Sequence, residues 1–521
     1  MNVIDLVLAQ AVLRPQAPAI IEAKETMSFA ELATRSAQAA HMFRSAGITH
    51  GDSVLVYVPM SAALYIILAA LWRVGAIAMV IDPSAGRAVM AQCAARLPPK
   101  GFIGTGMAQV LRWAVPTVRW PQSCVWSTDF PWFARRWQTW KNFSPDESVF
   151  KVEDHHPALI TFTSGSTGEP KGAVRSHGFL RAQHQAVASS LDHLAGSMDV
   201  ATLPIFALAN LASGQSVLIP NTDMRRPGAI NPAPVLQQIA HHQPRSAVAS
   251  PAFFTRLAES CESGMGSLSP LQAIFTGGAP VFPHLLARLQ RLAPQARVVA
   301  VYGSTEAEPI AEIDYADMDE HDLAAQREGK GLLAGNVVNN IDLVIFKDQW
   351  GTSLASLTES EFIAHQLPAE SIGEIVVAGN HVLPGYLSGI GDAETKIHVA
   401  GRIWHRTGDA GYRDARGRLW LLGRCTARIC DDRGQLFPFA VETAALSIAG
   451  IRQVAVLGHA GQRVLVYEAE SGAQPLAQLQ TAVAWAAIDR FIAMSIPLDR
   501  RHNAKVDYPA LRAQVRSYYG K

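Results

Sequence analysis

The amino-acid sequence predicts an α/β protein whose sheets are rich in parallel strands, and three observations support this prediction. Short apolar runs typical of strands alternate with helical segments along most of the chain. Hydrophobic residues make up 49% of the 521 residues and charged residues only 17%, so large cores can be buried. At about 150 residues a domain, a chain of this length predicts about two to four domains.

The first 150 residues show this alternation clearly. A helix is predicted over residues 28–47, because Ser28 can act as its N-cap and Gly47 can end it. The run DSVLVYVP (52–59) predicts a strand, and the run AIAMVIDP (76–83) predicts a second strand after an intervening helix. Strands separated by helices of this length favour a parallel sheet.

The most apolar stretch of the chain runs from Met60 to Leu71 and is followed by Arg73. Crossing a bilayer takes about 20 apolar residues, so this stretch predicts a buried helix at 61–74 and no membrane span. The N-terminal residues include Asp5 and no basic leader, which argues against a secretory signal. A cytoplasmic protein is therefore expected.

The alternation continues in the rest of the chain. Strands are predicted within PALITFT (157–163), PRSAVASP (244–251), LQAIFTGGAP (271–280), ARVVAVYGSTEAE (296–308) and GEIVVAGN (373–380). The charged tract 320–331 is expected to be an exposed connection. The stretch TGDAGYRDARGRLWLLGR (407–424) predicts a hairpin that turns at 414–418. About a hundred residues follow this hairpin, which is enough for a further small α/β domain.

Charge, cysteine and histidine patterns argue against several classes of protein. The formal net charge is +1 and the chain has no sustained basic run, so nucleic acid is not expected as a partner. The five cysteines include no CxxC pair and are expected to be reduced thiols. The histidine pairs at 155–156 and 241–242 lack metal-ligand spacing, so solvated or capping roles are expected for them.

The stretch TSGSTGEPKG (163–172) has a composition that suits phosphate binding. Its glycines let the backbone approach a ligand, its hydroxyls and backbone N–H groups can donate hydrogen bonds, and its lysine adds positive charge. Pro170 keeps Glu169 out of the helical region, so a loop is expected. The Walker A pattern places lysine directly after the second glycine, and this stretch does not. Composition alone leaves a flexible surface loop as the alternative. The predicted contacts are Thr163, Ser164, Gly165, Ser166, Thr167, Gly168 and Lys171.

This stretch resembles the phosphate-binding loop of the adenylate-forming superfamily, which includes acyl-CoA synthetases, peptide-synthetase adenylation domains and luciferases. Further stretches resemble, in order, the adenine loop, fifth core motif, ribose motif, hinge motif and catalytic-lysine segment of that family: FTGGAP (275–280), YGSTE (302–306), TGD (407–409), GR (423–424) and NAK (503–505). The resemblance implies a large N-terminal AMP-binding domain at 1–422 and a small mobile C-terminal α/β domain at 423–521. It also implies ATP, Mg²⁺ and a small carboxylic acid as ligands.

The resemblance implies a role for each matching residue. Lys505 would be the catalytic lysine that bridges the carboxylate and the α-phosphate, which suits a point charge on a long stem. Thr305 would hydrogen-bond that phosphate, and Glu306 would bind Mg²⁺. The nucleotide contacts would be Gly278, Ala279, Pro280, Tyr302 and Gly303 at adenine, and Asp409 with Arg424 at ribose. The acid pocket would lie near Phe206, Ala207, Leu208, Gly277 and Gly303, which are small or apolar and therefore favour a hydrophobic acyl chain.

The end of the chain departs from the common pattern of the family. Thr426 stands where the family usually has Asp or Lys, Cys430 where it often has Lys, and Ala504 where it has Gly. These departures weaken the expectation of a standard thioester step. PLDRRHNAK (497–505) is instead similar to the C-terminal motif of the ATP-dependent β-lactone synthetases of olefin biosynthesis.

That branch implies that a β-hydroxy acid is adenylated and that its own hydroxyl then closes a β-lactone without CoA. Three alternatives stay open: an acyl-CoA ligase that uses CoA, a freestanding loader of an acyl carrier protein, and a nucleotide-binding protein without catalysis. Only 16 residues follow Lys505, too few for a carrier domain of its own. A separate carrier protein or pathway enzymes are therefore the expected protein partners.

Overall fold

The computed structural model describes residues 1–81, 86–119, 124–129, 134–164, 170–499 and 505–519. Its first part contains α1 (Ile4–Leu13), β1 (Pro18–Ile21), β2 (Thr26–Ser28), α2 (Phe29–Ser45), β3 (Ser53–Tyr57), α3 (Ala62–Val74), β4 (Ile77–Val80), α4 (Arg87–Arg96), β5 (Gly101–Gly104), α5 (Gly106–Trp113), α6 (Pro116–Arg119), β6 (Cys124–Ser127), β7 (Arg135–Arg136) and β8 (Pro157–Ser164).

The middle part contains β9 (Pro170–Ser176), α7 (His177–Ser190), β10 (Met198–Ala201), α8 (Pro204–Ala212), β11 (Ser216–Leu218), α9 (Pro232–His242), β12 (Ser246–Ala249), α10 (Pro251–Glu262), β13 (Ala273–Gly277), α11 (Pro283–Leu292), β14 (Arg297–Ser304), β15 (Ala307–Asp314), α12 (Glu320–Arg327), β16 (Leu332–Val337), β17 (Ile341–Phe346), α13 (Glu359–His365), β18 (Gly373–Gly379), α14 (Asp392–Thr395), β19 (Lys396–Val399), β20 (Arg402–Arg413) and β21 (Leu419–Arg424). The last part contains β22 (Ile429–Asp431), β23 (Gly434–Leu436), α15 (Pro438–Ala445), β24 (Ile451–His459), β25 (Gln462–Ala469), α16 (Leu476–Ala482), β26 (Arg490–Ala493) and α17 (Tyr508–Tyr519).

Two large sheets organise the chain up to β21. One has the order β7-β6-β5-β3-β4-β8-β9, and its pairs are parallel except for β8 with β9. The other has the order β17-β18-β20-β21-β16-β15-β14-β13-β12-β10-β11-β1-β2, with β19 beside β20. Its pairs from β14 to β1 are parallel, and those from β17 to β14 are antiparallel. The predicted α/β class with parallel-rich sheets is confirmed.

The caps that the sequence predicts for α2 are present. The Ser28 hydroxyl accepts a hydrogen bond from the Glu31 backbone N–H at 3.2 Å, and the Glu31 carboxylate accepts from the Ser28 N–H at 2.8 Å. This reciprocal capping box contributes about 1 kcal/mol to helix stability. Gly47 follows the helix with φ +82°, a left-handed conformation that ends the helix as predicted.

The most apolar stretch of the sequence forms α3, and this helix is buried on all sides, as predicted. Arg73 near its end is fully buried and donates hydrogen bonds to the Ser36 hydroxyl at 3.0 Å and to the carbonyl of Glu147 at 3.2 Å. These acceptors satisfy the guanidinium inside the core. Of the helices in the described residues, none is both long and apolar enough to cross a membrane.

The prediction of an exposed connection at 320–331 is wrong. This tract forms helix α12, which Asp319 caps by accepting from the Asp322 N–H at 2.8 Å. Asp322 is completely buried and binds both terminal nitrogens of Arg418, at 2.7 and 2.6 Å. A bidentate pair of this kind satisfies a buried carboxylate. The Asp322 charge therefore faces Arg418 of the β20–β21 hairpin, whereas Glu320, Arg327 and Glu328 are exposed.

Beyond β21 the chain forms two small sheets, β22-β23 and β24-β25-β26. Helix α15 and strands β24 and β25 share a core that includes Val441, Val456 and Leu465. This arrangement agrees with the predicted division after residue 422, which stays a prediction. All five cysteines are free thiols, as expected from their spacing.

A buried carboxylate in the second sheet gives a stability prediction. Asp199 of β10 is 1% exposed and accepts hydrogen bonds from Asn210 Nδ2 and Ser246 Oγ, each at 2.7 Å. Burial raises the pKa of Asp199 to about 6, above its usual 3.8, so the folded protein holds this proton more tightly than the unfolded chain does. The resulting stabilisation is fully present below about pH 4 and is lost as pH rises through about 6.

We therefore expect Asp199→Asn to become more stable relative to the wild type between about pH 4 and about pH 7, by at most about 3 kcal/mol. The buried Oδ1 of Asn210 has no hydrogen-bond partner within the described residues, so a flip of that amide would supply an acceptor for the introduced NH₂ group. Urea unfolding of both proteins at the two pH values measures the difference. A difference that does not change with pH would contradict the assignment.

Candidate active site

A cavity of about 620 Å³ lies between the ends of β13 and β14, the β20–β21 hairpin and the segment that begins at Lys505. Eight of the residues predicted from the sequence line it: Gly278, Ala279, Pro280, Tyr302, Gly303, Asp409, Arg424 and Lys505. They come from stretches that are far apart in the chain. The fold thus brings the predicted adenine, ribose and lysine segments around one space.

The adenine segment leaves the sheet at the carboxyl end of β13, in the parallel half of the sheet, which is where open α/β sheets bind ligands. A Cβ atom on Gly277 would lie 2.6 Å from the carbonyl oxygen of Val301, so no larger residue fits beside β14. Gly278 has φ +80° and open space beside it. The loop backbone therefore borders the cavity closely.

Asp409 lies at the centre of a polar cluster on the cavity wall. The hairpin register places Asp409 directly opposite Arg424, and Arg424 Nε lies 3.2 Å from Asp409 Oδ1. Tyr302 donates its hydroxyl to Asp409 Oδ2 at 2.8 Å. Burial and the neighbouring carboxylate raise the pKa of Tyr302 well above its usual value, so this hydroxyl stays a donor. The carboxylate is held in place with lone pairs that can accept from ribose hydroxyls.

Glu306 lies in the turn between β14 and β15, beside the cavity wall and not on it. Its carboxylate accepts a hydrogen bond from the Tyr386 hydroxyl at 2.8 Å. Burial alone would raise the pKa of Glu306. His405, the Tyr386 hydroxyl and Lys396 outweigh burial and lower that pKa to about 2. Glu306 is therefore ionised at neutral pH.

Lys396 and His405 form a buried pair behind Glu306 that the sequence did not single out. Lys396 Nζ lies 3.2 Å from His405 Nδ1 and donates to the carbonyl of Leu383. His405 Nδ1 also lies 3.2 Å from the carbonyl oxygen of Thr395, so it accepts from the lysine in one ring tautomer and donates to that carbonyl in the other. Burial lowers the pKa of His405 to about 3 and that of Lys396 to about 8, so lysine carries the positive charge of the pair.

The lysine of the predicted phosphate loop lies on β9 and is buried. Lys171 Nζ is 5.5 Å from the centre of the Tyr386 ring and 4.0 Å from Glu394 Oε2. Four residues on, Arg175 donates to the carbonyl of Thr305 at 2.8 Å. Arg175 of β9 thus contacts the turn that carries Thr305 and Glu306. The structure does not place Lys171 on the cavity wall.

The rest of the predicted phosphate loop lies outside the described residues. Gly165, Ser166, Thr167 and Gly168 lie outside the described residues, and the side chains of Thr163 and Ser164 do as well. The backbone of 163–164 ends β8, and Pro170 begins β9, which pairs with β8 in the antiparallel direction.

Lys505 is exposed and lies at one end of a short strand pairing. Its N–H donates to Asp499 Oδ1 at 2.9 Å, and its carbonyl accepts from the Asp499 N–H at 2.8 Å. Leu498 and Val506 form a bridge beside this pair. The pairing holds the backbone at Lys505, which lines the cavity.

The residues predicted for the acid pocket are only partly brought to the cavity. Gly303 lines it, whereas Phe206 and Ala207 are buried within α8. Phe206 packs against Phe275 and Val301 in a small core, and half-buried Leu208 packs against a different one. The predicted preference for an apolar acyl chain stays a prediction.

A single ionised carboxylate suits Mg²⁺, which takes one or two carboxylates together with phosphate oxygens. Glu306 could provide that donor. In the part of the chain that the structure describes, no group of three or more Asp, Glu, His or Cys residues could hold a metal by itself. The carboxylate of Glu306 therefore fits a Mg²⁺ ion whose other ligands are phosphate oxygens.

Three comparisons relate this geometry to known proteins. Residues 7–387 match the family of AMP-binding enzymes. The olefin beta-lactone synthetase of Stenotrophomonas maltophilia (strain K279a) is 31% identical over 511 residues, which cover 92% of this chain and 90% of that protein. The 4-coumarate–CoA ligase 5 of Oryza sativa subsp. japonica is 25% identical over 448 residues, covering 83% of this chain and 77% of that one.

Solved structures share the whole fold. The amide bond synthetase McbA from Marinactinospora thermotolerans superposes with a TM-score of 0.82 at 20% identity, covering 98% of this chain and 99% of its own. Identity this low supports the architecture alone, and the likeness extends over both the large sheets and the C-terminal sheets.

Proposed function

Because the chain belongs to the family of AMP-binding enzymes and is an adenylate-forming ligase, we propose that it activates a hydrophobic β-hydroxy acid and closes it to a β-lactone. In the first step the acid carboxylate attacks the α-phosphorus of ATP, giving an acyl-adenylate and pyrophosphate. In the second step the β-hydroxyl oxygen bonds to the acyl carbon, the bond from that carbon to AMP breaks, and the hydroxyl proton is released.

One observation carries the adenylation step: the predicted adenine, ribose and lysine residues line a single cavity. Two anions must approach each other there, so catalysis requires positive charge and fixed geometry. Asp409 and Arg424 would hold the ribose end. Lys505 would place its ammonium between the carboxylate and the α-phosphate. Glu306 would hold Mg²⁺ against the phosphate oxygens, which neutralises charge as pyrophosphate leaves.

The lactone step is supported by the relative and by the end of the sequence. The relative named olefin beta-lactone synthetase matches this chain over 92% of its length. An intramolecular attack needs only that the acyl chain be held with its hydroxyl near the acyl carbon, and such positioning can lower a barrier by about 7–11 kcal/mol. Thr426 and Cys430, where related ligases have charged residues, are consistent with an enzyme that does not need a second acceptor.

An acyl-CoA ligase is the second candidate, favoured by the similarity to 4-coumarate–CoA ligase 5. It would use the same first step and transfer the acyl group to CoA. Transfer to a separate carrier protein would use that step too. The division after residue 422, movement of residues 423–521 as a small domain, and a cytoplasmic location are parts of the same proposal.

Product analysis distinguishes these functions. The purified protein is incubated with ATP, Mg²⁺ and a 2-alkyl-3-hydroxy acid, with and without CoA, and the products are identified by mass spectrometry and NMR. We expect pyrophosphate and a β-lactone without CoA. The matched 2-alkyl acid without the hydroxyl should release pyrophosphate once per active site and yield no lactone. A thioester that forms only with CoA would instead establish the ligase, and no pyrophosphate with any acid would refute adenylation.

A further inference from the structure

A buried hydrogen bond connects the segment after Lys505 to helix α15. The hydroxyl of Tyr508 donates to Glu442 Oε1 at 2.7 Å. Glu442 is 3% exposed, and the same oxygen accepts from the Val456 N–H of β24 at 3.3 Å. One carboxylate oxygen therefore ties the start of α17 to α15 and to the small C-terminal sheet.

The location of this hydrogen bond lets it restrict the position of Lys505. Tyr508 is the first residue of α17 and stands three residues after Lys505, a span of at most about 11 Å. On the other side, Lys505 is held by the pairing with Asp499, and five residues between the two are outside the described part of the chain. The Tyr508 hydroxyl therefore fixes the backbone just after the catalytic segment.

If Glu442 contributed only to stability, burying its carboxylate at this position would be energetically unfavourable. Burial raises the pKa of Glu442 to about 7, which shows that its charged form is poorly solvated there. An apolar pair of similar size would fill the same space without that cost. Glu442, Tyr508 and Lys505 all line the cavity that Asp409 borders. A directional hydrogen bond at this place fixes an angle, which apolar packing does not.

We propose that Glu442 and Tyr508 are positioning residues that set the direction in which Lys505 enters the cavity. This inference rests on the proposed role of Lys505 in adenylation. The hydroxyl of Tyr508 would act through the lysine and would not touch ATP or the acid. Displacing a catalytic group by about 1 Å can cost about a hundredfold in rate, so losing this bond should reduce turnover without weakening nucleotide binding.

Tyr508→Phe removes only the hydroxyl, and Tyr518→Phe on the exposed face of α17 is its matched control. We expect Tyr508→Phe to lower kcat for pyrophosphate release about tenfold or more, with ATP affinity unchanged, and Tyr518→Phe to behave as the wild type. Glu442→Gln keeps an acceptor but loses the charge, so the decrease in kcat should be smaller than for Tyr508→Phe. Thermal unfolding of each variant shows whether it is folded at the assay temperature.

A double-mutant cycle separates positioning from a general structural effect. If Tyr508 acts through Lys505, adding Tyr508→Phe to Lys505→Ala should slow the reaction no further. The inference would be overturned if the fold-decreases in rate of the two single variants multiplied in the double variant. Full activity of both Tyr508→Phe and Glu442→Gln would overturn it as well. If Tyr508→Phe is unfolded, Glu442→Gln is carried through the same cycle. A wild type that forms no adenylate would refute the proposed function itself, so the two failures are distinguishable.

Discussion

Lys505→Ala is expected to reduce the rate of acyl-adenylate formation by about 10²–10³-fold, the usual cost of deleting one group that stabilises developing charge. The ammonium would stand between two anions that repel each other, and no other sequence-predicted lysine lines the cavity. ATP affinity should change little, because the adenine and ribose residues come from the sheet and the hairpin. Pyrophosphate release under saturating substrate and equilibrium ATP binding measure the two quantities.

Two variants make this expectation specific. Lys24→Ala removes an exposed lysine beside β2, so it should keep the wild-type rate. Lys505→Arg keeps the charge but changes its shape and reach, so it should recover only part of the rate. Pyrophosphate exchange that survives Lys505→Ala undiminished would remove Lys505 from the reaction.

Local signals in the sequence predicted the elements that form from neighbouring residues. Ser28 and Gly47 delimit α2 because capping depends on residues three or four apart. The hairpin at 407–424 was recognisable from its turn residues, and its register then places Asp409 opposite Arg424. The cavity residues followed from a resemblance of motifs, since nothing in the spacing of the sequence shows that residues 278 and 505 border the same space.

Contacts between residues that are far apart in the chain could not be predicted from the sequence. The tract 320–331 looked solvated because of its charge, yet Asp322 binds Arg418, which stands 96 residues later. The capping box at Asp319 and Asp322 was a local signal for α12, and the charge of the tract obscured it. Lys171 likewise packs on Tyr386, a contact that depends on how β9 meets the chain after β18.

The surroundings of Glu306 show the same limit. The motif identified the carboxylate, but Tyr386 is 80 residues away and Lys396 is farther still. Neither belongs to a recognisable pattern. Together with His405 they decide the charge state of Glu306, since a buried carboxylate without these neighbours would hold its proton at a higher pH. A motif can therefore identify a ligand residue, while the charge state of that residue depends on contacts that the fold creates.

Glu306→Gln should lower the adenylation rate about 10²-fold at low millimolar Mg²⁺ and raise the Mg²⁺ concentration needed for half the maximal rate. The amide keeps the size of the side chain but loses the charge that Mg²⁺ prefers. Because the pKa of Glu306 is about 2, the wild-type carboxylate stays ionised above about pH 4, so the ratio of the two rates should not change with pH through this group.

Magnesium titrations of pyrophosphate release measure this effect for the wild type, for Glu306→Gln and for two further variants. Glu328→Gln changes an exposed carboxylate at the end of α12 and should leave the titration unchanged. Tyr386→Phe removes only the hydrogen bond to Glu306 and should shift the titration less than Glu306→Gln does, because Lys396 still holds the carboxylate ionised.

Thermal unfolding accompanies each titration, since Glu306→Gln leaves the buried charge of Lys396 without its carboxylate. If the folded Glu306→Gln protein titrates with Mg²⁺ as the wild type does, the ion is held elsewhere and Glu306 serves to balance Lys396 alone.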